Sequence, residues 1–181
     1  MPANESVKKA LALIEGDNGK SKVLGLKVGT HIVEPGHYIP KAEAQTAPEL
    51  SFAVPSISGT YLVIGLDIDA PFPSFGVLGP ILHWVQPGLK AEATGADATP
   101  VLKATEPFIA NYIGPAPPPG SSPHRYIFFL YEQPDAFDGT RYAPKDGQPL
   151  GNWQRMRASL DDLAREYKLG PVLTANYFTS N

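Results

Sequence analysis

The amino-acid sequence predicts a single, mainly β domain with a few short helices. Its 181 residues are about one domain's worth of chain and can bury a substantial core. The 17 glycines and 20 prolines punctuate short apolar runs, which is typical of many short strands joined by constrained turns. Two of these runs, 61–66 and 124–131, are apolar on both faces, as expected for the central strands of a β-sandwich.

Hydrophobic patterning assigns the elements in order along the chain. The predicted strands cover residues 21–28, 30–33, 50–54, 61–66, 124–131 and 171–178. The predicted loops cover residues 40–48, 86–100, 111–123 and 135–151. The third loop holds so many prolines and glycines that it can form neither a helix nor a central strand.

Two helices are predicted near the ends of the chain. Residues 5–15 carry apolar side chains at helical spacing. The second helix has apolar residues at i, i+3, i+4 and i+7 from Leu160, and Ser159 is its predicted N-cap. Asp161 is expected to pair with Arg165 across one turn of this helix.

Composition restricts the class of protein. Hydrophobic residues make up 43% of the chain and charged residues 18%, which is typical of a globular protein. A formal net charge of -3 gives no sign of a nucleic-acid-binding surface. No apolar run approaches the roughly 20 residues that span a bilayer, and the N-terminal residues are too charged for a secretory signal. Because cysteine is also absent from the sequence, we expect a cytoplasmic protein.

Two aspartates and two histidines carry the candidate chemistry. Asp67 and Asp69 lie two residues apart at the end of a buried strand, so in an extended chain their side chains point the same way and repel. Each charge needs a donor, a cation, a ligand or open water to compensate it. His83 lies in an apolar run, and His124 opens a buried strand after the proline-rich loop. All four stand where a buried strand meets a loop rich in proline and glycine, which predicts one compact site for a small polar ligand.

Several chemistries are open for this site from the residues alone, including a purely structural role for the histidines. A metal is not favoured, because the spacing matches no zinc signature. Paired carboxylates would suit a glycosidase, although two acids on one strand are a weak signal. No nucleophile elbow, phosphate loop or dinucleotide fingerprint is present in the sequence. A loop rich in glycine and proline can present backbone amides to an anion, so a phosphate-like ligand is favoured and no cofactor is predicted.

Three segments of the sequence resemble the phosphatidylethanolamine-binding protein family. They are residues 67–71 (DIDAP), the pair His83 and Trp84, and residues 114–126 (GPAPPPGSSPHRY). The resemblance extends over most of the chain, and its SSPHRY version is most similar to fungal members. It implies one domain over residues 1–181, with a Greek-key β-sandwich and a small anion-accepting pocket near the strand ends.

The resemblance also implies which residues form the pocket. The implied ligand-binding residues are Asp67, Asp69, Pro71, His83, Gly114, Pro117, His124 and Tyr126. A cis peptide bond is implied at Ala70–Pro71, since X–Pro bonds adopt the cis form most readily. The sequence departs from the family pattern at Ile68, Phe72 and Ala116, and we expect these positions to affect ligand specificity while leaving the pocket intact.

Two functions follow from the resemblance. The first is a binding and regulatory protein whose pocket holds a phosphate or phospholipid head group and whose surface engages a serine carboxypeptidase or a protein kinase. The fungal likeness favours inhibition of a vacuolar serine carboxypeptidase. The alternative is an enzyme-like fungal relative that assists the coupling or cyclisation of anhydride-type polyketide units, with Asp67, His83 and His124 as acid–base groups. A stable domain with a vestigial pocket is the third possibility.

Overall fold

The computed structural model describes residues 5–15, 23–54, 56–74, 78–95 and 98–181, which contain nine strands and three α-helices. The strands are β1 (Gly25–Val28), β2 (His31–Val33), β3 (His37–Tyr38), β4 (Glu49–Ser51), β5 (Tyr61–Asp67), β6 (Ile81–Glu92), β7 (Val101–Ala104), β8 (His124–Glu132) and β9 (Thr174–Ser180). The helices are α1 (Glu5–Glu15), α2 (Asn152–Arg155) and α3 (Leu160–Glu166). The predicted start of the first strand, residues 21–22, lies outside the described residues. No helix in the described ranges is long and apolar enough to cross a membrane.

The nine strands form one sheet that curls until its two edges meet. The strand order is β2-β1-β4-β7-β6-β5-β8-β9-β3, and only the β3–β9 pair is parallel. The edge strands β2 and β3 are joined by the short turn at residues 34–36, so they are neighbours in space. The amide of Asn176 in β9 donates to the carbonyls of Leu24 and Val33 at 2.8 and 3.0 Å across the seam. The mainly β prediction is therefore confirmed, with a nearly closed sheet in place of two separate layers.

The sheet separates two hydrophobic cores. Successive residues of β5 point to opposite faces, so Tyr61 and Val63 enter the core inside the curled sheet. Leu62 and Ile64 enter the outer core, which α1 and α3 cover. All seven residues of β5 are buried, and Asp67 continues the inward-facing set. A carboxylate therefore lies at the end of the inner core.

Strand β6 is longer than the sequence indicated. The predicted loop over 86–100 is wrong in its first part, because β6 runs to Glu92 through Pro87 and Gly88. The register of β6 against β5 slips at this point, and Gly88 has a φ of +66°. The side chain of Gln133 accepts the backbone N–H of Gly88 at 2.8 Å. An irregularity of this kind lets proline and glycine stay within a strand.

The first turn of α3 uses its acidic residues differently from the prediction. Ser159 is the N-cap, as predicted, and accepts the backbone N–H of Asp162. Arg165 pairs with Asp162 at 2.7 Å, so the predicted pair with Asp161 is wrong. Asp161 instead accepts the first N–H groups of α1, from Glu5 and Ser6, at 3.0 and 3.1 Å. Those N–H groups lack partners within their own helix, which explains why they attract this carboxylate.

Candidate functional site

A cavity of about 260 Å³ opens at one end of the inner core. In the antiparallel register, Asp67 at the end of β5 lies beside Ile81 in β6 and Tyr126 in β8, so three strand ends meet there. Residues 113–118 and α2 supply the remaining walls. Six of the eight predicted site residues line the cavity: Asp67, Pro71, His83, Gly114, Pro117 and His124. The predicted cis peptide bond at Ala70–Pro71 is present, and a second one occurs at Gly79–Pro80.

The rim loop over residues 113–118 approaches Gln45 closely at Gly114. A Cβ atom at this position would lie 2.5 Å from Oε1 of Gln45, so only glycine fits. The amide of Gln45 donates to the carbonyl of Pro115 at 3.1 Å. Ala116, one of the departures from the family pattern, also lines the cavity. Gln45 therefore holds the rim loop in position over the strand ends.

One side of the cavity is a hydrogen-bonded series that we call the His124 triad (Asp67, His124 and Ser121). Oδ2 of Asp67 lies 2.8 Å from Nδ1 of His124, and Nε2 of the same ring lies 2.8 Å from Oγ of Ser121. Oδ1 of Asp67 accepts the backbone N–H of Asp69 at 2.9 Å. All three triad side chains are buried. Each polar side-chain atom of the triad thus already has a hydrogen-bond partner within the protein.

The surroundings of His124 favour its charged form. Burial by itself opposes the charge, but the hydrogen bond and charge of Asp67, with smaller contributions from Asp69 and the Pro71 carbonyl, raise the pKa of His124 above 6.5. Both ring nitrogens then donate, one to Asp67 and one to Ser121. The hydroxyl of Ser121 donates a hydrogen bond to the carbonyl of Ser122 at 2.9 Å. The proton positions are therefore consistent along the whole triad.

The His124 triad links an aspartate, a histidine and a serine by hydrogen bonds, as in a serine hydrolase, but the serine is not positioned for nucleophilic attack. A nucleophilic serine must face the substrate and give its proton to the histidine. Ser121 is not among the residues that line the cavity, and its hydroxyl donates to a backbone carbonyl. The triad therefore fits a structural role that keeps a positive charge beside the cavity.

His83, on the opposite side, occupies a β-bulge in β6. Gly65 pairs with Trp84 and Leu66 pairs with Leu82, so His83 has no register partner on β5. Its Nδ1 lies 2.7 Å from the carbonyl of Ile113. Because a carbonyl can only accept, the proton is on Nδ1, and Nε2 of the neutral ring is an acceptor. Nε2 has no hydrogen-bond partner among the described residues.

His83 is held in its neutral form. Burial lowers its pKa below 6.5, and the charges of Arg155 and His124 lower it further, against the opposing effects of the Ile113 carbonyl and Asp67. The rings of His83 and Tyr126 pack in a T-shaped pair, with ring centroids 5.0 Å apart. The pKa values of the two histidines of the cavity are thus shifted in opposite directions.

Sequence reasoning missed Arg155, a cation in the cavity wall. This α2 residue is 1% exposed and lines the cavity. Its guanidinium donates to the carbonyls of Leu82, Asn111 and Leu150 at 3.0, 3.1 and 3.1 Å, and to Oδ1 of Asn111 at 2.6 Å. All of these acceptors are neutral, and no carboxylate in the described part of the chain pairs with it. Burial lowers the pKa of Arg155, yet arginine stays charged in proteins.

Two predicted site residues, Asp69 and Tyr126, do not line the cavity. Asp69 accepts three hydrogen bonds from Arg125, from its backbone N, Nε and Nη2, at 2.9, 2.8 and 2.7 Å. β5 ends at Asp67, so the alternation of an extended strand does not reach Asp69. Tyr126 lies in the inner core, stacked on Phe178, and burial raises the pKa of its phenol. Its hydroxyl lies near Asp67 without forming a hydrogen bond of ordinary geometry.

The other two departures from the family pattern also lie outside the cavity. Ile68 packs against the outer core. Phe72 is 37% exposed and directly follows the cavity residue Pro71. Within the described ranges, no group of three or more His, Cys, Asp or Glu side chains is placed to hold a metal ion.

The curled sheet and the cavity at its strand ends define the class of the protein, a mainly β domain with a small cavity where the strands end. Residues 29–178 match the family model described as phosphatidylethanolamine-binding protein. The chain belongs to the phosphatidylethanolamine-binding protein family, which confirms the resemblance inferred from the three sequence segments.

Two curated relatives and two solved structures are similar to the chain. The carboxypeptidase Y inhibitor of Saccharomyces cerevisiae is 27% identical over 147 residues, covering 76% of this chain and 67% of the relative. Phomoidride biosynthesis cluster protein N of Talaromyces stipitatus is 30% identical over 158 residues, covering 81% and 77%. The structure of carboxypeptidase Y inhibitor complexed with its cognate proteinase superimposes with a TM-score of 0.73 at 25% identity, covering 98% and 94%. A phosphatidylethanolamine-binding protein from Plasmodium vivax, with a TM-score of 0.62, 16% identity and coverage of 99% and 97%, shares the fold. Together the family and the similarity to an inhibitor support a binding or inhibitory role.

Proposed function

We propose that this protein is a binding and regulatory protein that holds a small anion, such as phosphate or a phospholipid head group, and inhibits a serine carboxypeptidase. Its cavity receives the anion, and its surface engages the protease. The anion part is supported by the charges of the cavity, and the inhibitor part by the relatives.

One observation carries the anion proposal: the cavity wall holds more positive than negative charge. Asp67 is balanced by the charged ring of His124, at 2.8 Å. Arg155 adds a second buried cation that has only neutral partners. His83 is neutral, and Asp69 is paired with Arg125 outside the cavity. An unbalanced buried charge costs several kcal/mol, so an anion beside Arg155 would offset a large penalty.

The size of the cavity suits a small ligand. At about 260 Å³ it lies just below the range of ordinary small-molecule sites, which is roughly 300–1,000 Å³. A phosphate or a compact head group fits this volume, whereas the acyl chains of a lipid would have to remain outside.

Titration with inorganic phosphate, followed by NMR of the histidine rings, tests the anion site. We expect saturable shifts of the His83 ring and a weaker response of His124, whose nitrogens are occupied. Arg125→Gln is the matched control, because it removes an arginine outside the cavity and should leave the titration unchanged. Shifts that do not saturate would refute the anion proposal and favour a vestigial pocket.

The inhibitor proposal is supported by the carboxypeptidase Y inhibitor relative and by the structure of that inhibitor with its cognate proteinase. We expect the purified protein to inhibit hydrolysis of a blocked dipeptide by carboxypeptidase Y, and its site of action to be cytoplasmic or vacuole-associated. Undiminished hydrolysis at a hundredfold molar excess would refute this partner. A protein kinase, the other partner class implied by the family, would then be tested in its place.

A second candidate function, acid–base catalysis, is favoured by the free Nε2 of His83. A neutral imidazole in a cavity can accept a proton from a carbon next to a carbonyl. The family resemblance suggests the substrate class, an anhydride-type polyketide unit, and the chain is similar to a phomoidride biosynthesis cluster protein. We would incubate a small alkylated cyclic anhydride with the protein in D₂O. Catalysis is supported if deuterium enters the carbon next to the anhydride carbonyl with the wild type and not with His83→Phe. Equal incorporation by both proteins refutes it.

A further inference from the structure

We infer that the cavity selects an anion that carries its own acidic proton, a phosphate monoester or inorganic phosphate, over a phosphodiester, and that His83 and Arg155 make this selection. The inference rests on the proposed anion site and narrows its ligand class. It follows from which polar atoms around the cavity are already bonded and which are free.

His83 offers a ligand an acceptor and no donor. Its Nδ1–H is used by the carbonyl of Ile113 at 2.7 Å. The free nitrogen, Nε2, therefore presents a lone pair. A negatively charged oxygen placed against a lone pair is repelled, whereas a hydroxyl can donate to it. The ligand atom next to His83 must then be a hydrogen-bond donor.

Arg155 offers the complementary group, one free donor on a fixed cation. Its Nε bonds to Leu150, its Nη1 to Leu82 and Asn111, and its Nη2 to Oδ1 of Asn111. These four bonds leave one of the five guanidinium N–H groups without a partner among the residues described. Because only neutral oxygens accept the hydrogen bonds of the Arg155 guanidinium, no counter-ion among the described side chains balances its positive charge. An anionic ligand oxygen can accept this last N–H.

Among the other polar side chains that line the cavity, Asn152 from α2 is exposed and can add an amide donor, whereas His124 and Asp67 cannot. Both ring nitrogens of His124 are bonded, to Asp67 and Ser121, and both carboxylate oxygens of Asp67 are bonded, to His124 and the backbone of Asp69. The charged or titratable groups that face His83 are Asp67 from β5, His124 and Tyr126 from β8, and Arg155 from α2.

The ligand that matches this pattern has an anionic oxygen and an acidic hydroxyl on one centre. The monoanion of a phosphate monoester has both, and its second proton is lost near pH 6. At higher pH the dianion takes one proton from solvent on binding, and that proton lies between the phosphoryl oxygen and Nε2 of His83. A phosphodiester has no P–OH group, so its oxygens would face the lone pair of His83 directly.

The test compares phosphoethanolamine with glycerophosphoethanolamine by isothermal titration calorimetry. Both carry the same ammonium group, and they differ in being a monoester and a diester. We expect phosphoethanolamine to bind at least tenfold more tightly, and its binding at pH 8 to be accompanied by uptake of one proton, measured in buffers of different ionisation enthalpy. Equal affinities, tighter binding of the diester or no proton uptake would overturn the inference. Absence of binding by both compounds and by inorganic phosphate would instead refute the anion site itself.

Two variants assign the selection to its residues. His83→Phe keeps an aromatic ring against Tyr126 but removes the acceptor. The variant should therefore bind the monoester no more tightly than the diester. Its affinity for the diester should be no lower than that of the wild type. Arg155→Lys keeps the charge and loses the fork, and both affinities should fall at least fivefold. Arg125→Gln should change neither affinity. Retained tenfold selectivity in a folded His83→Phe variant would contradict the role of His83, and the wild-type ligand comparison stands even if a variant fails to fold.

Discussion

The two sides of the cavity hold the same kind of side chain in opposite states. In the His124 triad the pKa of the ring is raised, which favours the charged form, and both ring nitrogens are bonded within the protein. Across the cavity, His83 is neutral and one of its nitrogens is free. The first arrangement contributes stability and a fixed charge, whereas the second leaves groups available to a ligand. Placement near a cavity therefore does not by itself make a histidine a binding residue.

The largest effect is expected when the His124 triad loses its carboxylate. Asp67→Asn leaves a buried histidine without its counter-ion, and breaking such a pair costs about 3–5 kcal/mol. Urea unfolding at pH 7 measures this change in the free energy of unfolding. A loss below about 1 kcal/mol, the value of an exposed pair, would show that the triad does not stabilise the fold.

The two histidines should change the free energy of unfolding with pH in opposite directions. The raised pKa of His124 gives stability that is complete below pH 6.5, its unfolded value, and lost as the pH rises through the folded pKa. The lowered pKa of His83 gives stability that is present above pH 6.5 and lost as the pH falls through the folded pKa. Each slope is limited to about 1.4 kcal/mol per pH unit, because one proton is involved.

Urea unfolding between pH 5 and pH 9 would separate these two contributions by difference from the wild type. Asp67→Asn should remove the decline on the alkaline side, and His83→Phe should reduce the decline on the acidic side. If His83→Phe altered only the alkaline side, the assignment of the two protonation states would be wrong.

A smaller effect is expected at the far end of the His124 triad. Ser121→Ala removes the acceptor for Nε2–H of His124 and leaves a buried donor unsatisfied, at a cost of about 2 kcal/mol. Phosphate binding should be unchanged, because Ser121 does not line the cavity. An esterase assay on the wild type and the variant checks the hydrolase alternative, and activity lost with this hydroxyl would contradict the structural role.

The smallest effect is expected at the second aspartate. Arg125→Gln removes the charged partner of Asp69, but the arginine side chain is 43% exposed and Asp69 keeps the bond from the backbone N–H of residue 125. The loss of unfolding free energy should be about 1 kcal/mol. A loss as large as that of Asp67→Asn would show that the two aspartates are energetically alike.

The sequence predicted the elements that depend on local pattern. The α1 helix and the buried strands β5 and β8 follow from apolar periodicity, and the strand ends brought Asp67, His83 and His124 to one cavity as expected. Their role in binding a ligand stays a prediction.

The features that the sequence did not predict depend on contacts between distant segments. Arg155 lies in a polar stretch with no periodicity to indicate burial, and its acceptors come from residues 82, 111 and 150. The different roles of Asp67 and Asp69 could not be predicted without knowing that β5 ends at Asp67. The extension of β6 through Pro87 and Gly88 depends on the side chain of Gln133, 45 residues from Gly88.

The seam of the sheet has a consequence for how a partner can bind. The edge strands β2 and β3 are only three and two residues long, and the side chain of Asn176 in β9 bonds across the seam to Leu24 and Val33. Such short edges offer little template for strand addition by another chain, which also protects the protein from edge-to-edge aggregation. A protease or any other partner should therefore dock on side chains of the loops and short helices, and its affinity should be sensitive to substitutions there rather than to the backbone of the sheet.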